Sequence, residues 1–257
     1  MSQTALMYHD VVAPGDPDAS GFAGAAAAHY KLDREAFDQH LQALTESGLS
    51  FGSVLAASGA NDAWLTFDDG GASAPSIALA LDRHRMTGHF FITTGRIGQT
   101  GFVRPDDVLA LHRGGHVVGS HSHTHPAEIS RLSDSALAAE WHQSVDCLSQ
   151  WLSAPIQVAS VPGGFYSRRV AQAAAAAGIR YLFTSEPSMA VHQVDGCLVL
   201  GRYTLWRGMP ASRALALALG SGAARQQQWL MWNLKKPLKR WARPAYQLLR
   251  RRLLAAG

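Results

Sequence analysis

A chain of 257 residues, 47% apolar or aromatic and 16% charged, is large enough to bury a core without disulfides or a structural metal, and its composition excludes disorder and collagen-like repeats. The net charge of +4 is unevenly placed: residues 225–257 hold nine Lys/Arg and no acid, which leaves 14 bases against 19 acids in residues 1–224. An acidic body with a basic end excludes a nucleic-acid-binding core, so no nucleic-acid partner is expected. Cys147 and Cys197 need not pair.

In chain order, short apolar runs are expected as strands at 5–8, 63–67, 89–93, 116–119, 156–161, 181–184 and 198–203. Segments of helical spacing lie between them at 33–47, 74–86, 105–113, 133–152 and 167–177. Ser133 reads as a helix N-cap and Ala177-Gly178 as a C-terminal stop. Seven strands alternating with helices predict an α/β fold, a parallel sheet closed or nearly closed into a barrel of the (β/α)7 type. Residues 13–31, with two Pro and three Gly, read as a loop of unusual length, and such loops are often functional. The expected division is a catalytic domain at 1–222 and a basic amphipathic tail at 223–257.

No window of eighteen apolar residues occurs, and the opening MSQTALMYHDVV has neither the basic start nor the apolar run of an export signal. The expectation is therefore a cytoplasmic protein. In residues 226–254, Trp229, Trp232, Trp241 and Tyr246 are interleaved with eight Lys/Arg and several leucines. With Pro237 and Pro244 at helix starts, this predicts two or three short helices lying on an anionic membrane surface at the inner face. A helix packed back on the barrel is the competing reading.

In βα barrels chemistry sits where strands end. Asp68-Asp69-Gly70 follows one predicted strand, His121 to His125 another, Pro162-Gly163-Gly164 a third, and His9-Asp10 the first. Two adjacent carboxylates are costly without a neutralising cation. His121 and His125, four apart, would share one face of a helical turn and, with a third ligand, hold a divalent metal with open positions. His123 falls on the opposite side of that turn and is the weaker candidate. Taken singly, the Asp pair also reads as a turn cap and the His pair as surface residues; their order at consecutive strand ends favours a metal centre. His84, His89, His112 and His116 read as helix-surface or strand-flank residues without a chemical role.

Thr66-Phe67-Asp68-Asp69-Gly70, followed some fifty residues later by His121-Ser122-His123-Thr124-His125-Pro126, resembles the first two motifs of the polysaccharide deacetylase family, the NodB-like carbohydrate esterases of family 4. The resemblance spans about residues 1–205. It implies a distorted (β/α) barrel that removes N- or O-acetyl groups from sugars with one divalent metal ion, usually zinc. It also implies Asp69, His121 and His125 as metal ligands and Asp68 as general base, with Gly163 and Gly164 supplying the backbone donor for the oxyanion. The family's third motif usually carries an Arg where this chain has Ser160, and the late Leu-x-His motif that furnishes the general acid is missing. Related exopolysaccharide deacetylases place a Tyr-His near the start of the domain, which makes His9 the expected acid, with His192 as the other candidate. Arg202 is placed to pair with Asp68 or Asp69 in place of the missing Arg, and Tyr30 to cover the sugar.

The function implied is a metal-dependent hydrolase that removes an N-acyl group from a sugar in cell-surface polysaccharide or lipopolysaccharide biosynthesis. Its substrate would be an acylated amino sugar: lipid-linked, nucleotide-linked or in an oligosaccharide. The alternatives are a deformylase on a lipid-linked amino sugar, or an inactive barrel scaffolding a glycosyltransferase at the membrane.

Overall fold

The computed structural model describes residues 3–56 and 62–241, with side chains to residue 234. Its strands are β1 (Thr4–Tyr8), β2 (Val11–Val12), β3 (Leu32–Asp33), β4 (Ala63–Phe67), β5 (Gly88–Ile92), β6 (Val117–Ser120), β7 (Val158–Ser160), β8 (Tyr181–Phe183), β9 (His192–Val194), β10 (Cys197–Leu200) and β11 (Tyr203–Thr204). The helices are α1 (Ala25–Ala28), α2 (Arg34–Thr45), α3 (Ala74–Arg83), α4 (Pro105–Arg113), α5 (Asp134–Leu152), α6 (Arg168–Ala176), α7 (Ala211–Leu219) and α8 (Ala224–Trp241). Nine strands form one sheet in the order β11-β1-β4-β5-β6-β7-β8-β10-β9, parallel except for β9. The sheet curls until its late strand β11 hydrogen-bonds to β1, Leu6 facing Tyr203. It is a half-open barrel, as the βα rhythm predicts.

Strands β1, β4, β5 and β6 are buried along their whole length, the mark of a parallel sheet covered on both faces. Successive side chains alternate between those faces. Leu6, Leu65, Phe90, Val118, Ala159 and Leu182 join the large core under the helices. Ala5, Trp64, Phe91, Val158, Phe183 and Leu200 make a second, smaller cluster. By the same alternation Trp64, Thr66 and Asp68 share one face, so Asp68 stands at the C-terminal end of the column that belongs to the smaller cluster.

The five predicted helices are present, and Ser133 caps α5 by accepting from the N–H of Ala136. Helix α7, which the sequence reading leaves out, packs on α2 and contributes Ala214, Leu217 and Ala218 to the buried set. The predicted strand at 198–203 is two strands, β10 and β11, broken at Gly201-Arg202. Gly201 permits the break: a Cβ there would lie 2.3 Å from the Ser188 carbonyl and 2.5 Å from that of Glu186. The break lets Arg202 turn off the sheet instead of pairing along it.

Among the described residues the tail is one helix running through Pro237, not a set of short helices with a start there. Its first turns are anchored, so helix propagates across the single backbone hydrogen bond that proline removes. Ala224 is buried in the core, and Gln228 pairs with both backbone groups of Thr204. Arg225 donates to Thr4 Oγ1 and to the Leu217 and Ala218 carbonyls. Trp229, Leu230, Met231 and Leu234 are 52–62% exposed. Pro244 and Tyr246 lie outside the described residues. No helix among them is long and apolar enough to cross a membrane, and both cysteines are free.

Candidate metal centre

Asp69, His121 and His125 come together just beyond the ends of β4 and β6. His121 Nε2 lies 3.3 Å and His125 Nε2 3.5 Å from Asp69 Oδ1, and the three donor atoms fall within 4.8 Å of one another. Ligands about 2.0–2.2 Å from one divalent ion sit roughly 3.0–3.5 Å apart, so this spacing fits such an ion. The donor set, two imidazoles and a carboxylate, suits zinc and neighbouring divalent metals. Burial alone would raise the Asp69 carboxyl, but the His121 hydrogen bond and the His9, His121 and His125 rings together hold it below its ordinary range. Burial, then the neighbouring His121, pushes His125 down, towards the neutral form that offers a lone pair.

The two histidines do not share a helical turn. The chain after β6 doubles back through left-handed backbone at Ser122 (φ 62°) and His125 (φ 58°). Glu140 of α5 accepts from the N–H groups of His123 and Thr124 and from the Thr124 hydroxyl. Ser122 Oγ accepts from the His125 N–H, and Ser120 Oγ from that of Ser122. These bonds offset strain that would otherwise cost of order 1–3 kcal/mol per residue. His123 turns away to pair with Thr94 Oγ1 at 2.9 Å, as its weaker standing in the sequence anticipates.

Asp68 is held from two sides. Arg202, fully buried, forks onto it with Nη1–Oδ1 at 2.7 Å and Nη2–Oδ2 at 2.8 Å. The guanidinium also donates to Thr66 Oγ1 and the Thr184 carbonyl, each at 3.0 Å, and lies over the Phe91 and Phe183 rings. Arg202 thus replaces the missing Arg from a different strand break, and it reaches Asp68 and not Asp69. Of its fork nothing is left exposed for a substrate. Burial would raise the Asp68 carboxyl, but Arg202 and then His121 outweigh it and hold the group well below the ordinary carboxylate range.

Ser160 does more than its place in the sequence suggests. Its hydroxyl donates to Asp68 Oδ1 at 3.0 Å and lies 2.6 Å from His121 Nδ1. With that hydroxyl proton committed to Asp68, Nδ1–H donates to Ser160, which leaves Nε2 free to ligate. One short side chain therefore couples the candidate base to a candidate ligand.

His9, at the end of β1, stacks on Tyr30 with centroids 4.9 Å apart. Its Nδ1 is buried with no partner among the described residues, and its charge acts on both Asp68 and Asp69. His192 is on the edge strand β9, bonded to the Tyr166 hydroxyl. Gly163 and Gly164 form the turn after β7 with φ 60° and 71°. The α8 residue Trp232 closes over that turn, its ring 3.2 Å from where a Gly164 Cβ would stand.

Residues 13–31 fold over the same end of the barrel; two members of this segment, Phe22 and Lys31, escape a sequence reading, and Asp10 just before it helps to hold it. Phe22 rests on His125 with centroids 4.7 Å apart. Lys31 is buried, with Nζ donating to the carbonyls of Pro17, Ser20 and Phe22. Asp10 Oδ1 accepts from Ser20 and Ser73. His89 and His116, expected on strand flanks, are buried and accept backbone N–H bonds from Val54 and Gly88; they have no place at the metal centre.

The polysaccharide deacetylase family profile matches residues 56–182, a span that holds Asp68, Asp69, His121, His125 and the Gly163-Gly164 turn. A 73-residue stretch is 33% identical to the peptidoglycan-N-acetylmuramic acid deacetylase PdaA of Bacillus subtilis (strain 168), covering 28% of this chain and 26% of that protein. The match thus spans about a quarter of that relative's length. Among solved structures, the Streptococcus pyogenes deacetylase PplD in complex with acetate superposes with a TM-score of 0.71 at 20% identity, over 85% of this chain and 98% of that one. IcaB from Ammonifex degensii gives 0.66 at 17% identity, over 84% and 97%. At these identities the structural likeness shows the fold.

Proposed function

The chain belongs to the polysaccharide deacetylase family, and on that premise we propose that it is a metal-dependent hydrolase releasing an acetyl group from the nitrogen of an amino sugar. The observation that carries this reading is the joining of Asp69, His121 and His125 in one donor cluster beside an Asp68 already paired to Arg202. A divalent ion held by those three residues supplies Lewis acidity, activating water and polarising the acyl carbonyl.

The rest falls to the chain's own side chains. Asp68 Oδ2 accepts one bond, from Arg202, and keeps a lone pair for the proton of the attacking water. The fork keeps Asp68 ionised and fixes its direction, trading basicity for position. His9, whose Nδ1 has no hydrogen-bond partner among the described residues, protonates the leaving amine. A backbone N–H of the Gly163-Gly164 turn meets the developing oxyanion, and Tyr30, stacked on His9, covers the sugar.

Residues 223–257, anchored on the barrel through Ala224, Arg225 and Gln228, bring this mouth to an anionic membrane surface at the inner face. Two features support it: the outward apolar side chains of α8, and nine cations without an acid in residues 225–257. Each cation near such a surface contributes about 1 kcal/mol. The substrate that suits this placement is a lipid-linked acylated sugar in cell-surface polysaccharide assembly.

The test is mass-spectrometric detection of acetate release from acetylated lipid-linked and nucleotide sugars, with zinc present and after chelation. His9→Ala is run alongside on matched amide and activated-ester substrates. Zinc-dependent release is expected, with amide turnover falling more than ester turnover in His9→Ala, because an amine leaves only when protonated. Release that survives chelation contradicts the metal requirement, and equal loss on both substrates removes His9 as the acid.

A further inference from the structure

The segment over the mouth is fastened by buried groups of opposite charge. The Lys31 ammonium spends all three donors on carbonyls, at 2.8 Å to Pro17, 2.5 Å to Ser20 and 2.6 Å to Phe22. Asp10 Oδ1 draws in the hydroxyls of Ser20 (2.5 Å) and Ser73 (2.7 Å), and Ser20 Oγ accepts from the Ser73 N–H. Gly21, between these anchors, has φ 68°, and a Cβ there would stand 2.2 Å from Asp10 Oδ2. The result is a segment pinned to the barrel immediately before Phe22 and at the Phe22 carbonyl itself.

The Phe22 ring is thereby pressed against the metal centre. It tilts on the His125 imidazole (4.7 Å), meets Phe102 edge-on (5.1 Å), and carries the Arg96 guanidinium 5.5 Å from its centroid. Arg96 and His125 occupy the ring's surroundings, so Phe22 serves as a wall and not as a platform for a sugar ring. A carbonyl bound beside His125 would have this ring as a neighbour.

We propose that Phe22 limits the length of the acyl chain accepted at the site, and that Lys31 is the positioning residue that holds it there. The inference rests on the hydrolase reading above and deepens it by naming a determinant of acyl specificity. A wall of this kind discriminates by steric exclusion, and one methylene in an apolar pocket is worth about 10–200-fold in kcat/KM.

The experiment compares full-length wild type, Phe22→Ala, Phe22→Leu and Lys31→Met, each zinc-loaded and checked for folding by thermal melt. Substrates are N-acetyl, N-propionyl and N-butyryl forms of one amino sugar. The acetyl-to-butyryl ratio of kcat/KM should drop at least tenfold in Phe22→Ala, less in Phe22→Leu, and also in Lys31→Met, there with a raised KM. Amide hydrogen exchange at residues 20–24 should quicken in Lys31→Met. Calorimetric binding of acetate and butyrate reads the same wall without turnover: butyrate should gain on acetate in Phe22→Ala. If wild type hydrolyses none of the substrates, the hydrolase reading fails, while the carboxylate and exchange measurements still judge the wall. An unchanged acetyl-to-butyryl preference in folded Phe22→Ala, by turnover or by carboxylate binding, overturns the proposal. Unchanged exchange in Lys31→Met overturns the positioning role.

Discussion

Replacing Arg202 with Met removes the cation from a fully buried pair and leaves its other contacts behind. Asp68 would lose bonds of 2.7 and 2.8 Å, and Thr66 Oγ1 and the Thr184 carbonyl one of 3.0 Å each. Breaking one side of a buried ion pair costs about 3–5 kcal/mol, chiefly because the remaining charge is uncompensated. At roughly 2–4 °C per kcal/mol for a domain of this size, the melting temperature should fall by about 6–20 °C. The double variant Arg202→Met/Asp68→Asn no longer strands a charge, so it should be more stable than additivity predicts, by about 0.5–3 kcal/mol. Arg202→Lys separates charge from geometry: it should regain part of the stability but not the fork, leaving turnover about a hundredfold down through a misplaced base. Denaturant melts and kcat on wild type, Arg202→Met, Asp68→Asn, the double variant and Arg202→Lys provide the readout. Arg202→Met with wild-type stability, or a strictly additive cycle, would refute the account of how Asp68 is held.

Three further outcomes follow from particular contacts. His89 is buried, accepts the Val54 N–H at Nε2 and faces the Leu65 carbonyl at Nδ1, and burial pulls its pKa down to about 4. The unfolded chain takes up this proton below about pH 6.5 and the folded chain only near 4, so stability is lost across that window, by about 3 kcal/mol in all; His89→Gln should flatten this slope in melts from pH 7 to 4, and an identical slope would place the loss elsewhere. Glu140→Ala should release the loop at 121–125 and weaken zinc binding about 10–100-fold in a chelator competition, whereas unchanged affinity would mean the loop is held without it. Deleting residues 235–257 spares the anchors Ala224, Arg225, Gln228 and Trp232. It should therefore leave the fold and small-substrate turnover intact, yet abolish the salt-sensitive sedimentation with anionic vesicles. Equal sedimentation of both proteins would contradict a membrane role for the tail.

The sequence made the strand ends legible because a parallel strand buried on both faces is an uninterrupted apolar run, and the residue after it is then conspicuous when polar. Asp68-Asp69 and His121–His125 stand out in this way. What it concealed was the means of support. Glu140 looks like one more helix acid, and only the packing of α5 under the loop after β6 turns it into a brace. Ser160 reads as a lost Arg, although its hydroxyl bridges Asp68 and His121. Lys31 and Phe22 leave no local signature, since a buried ammonium among carbonyls and a ring on a metal ligand both depend on how nineteen loop residues fold over the mouth. The helical-turn reading of His121 and His125 picked the pair that the fold gathers beside Asp69 but the wrong backbone, because left-handed residues held by side-chain bonds also bring i and i+4 together.

The most direct measurement is the zinc-binding isotherm of wild type, Asp68→Asn and Asp69→Ala, taken with turnover of the same samples. The account predicts about one ion per chain in wild type and in Asp68→Asn, with turnover of Asp68→Asn down by about two orders of magnitude. Asp69→Ala should lose both tight binding and turnover while remaining folded. Wild type that takes up no zinc, or Asp69→Ala that binds it as wild type does, would contradict the assignment of this cluster as a metal centre.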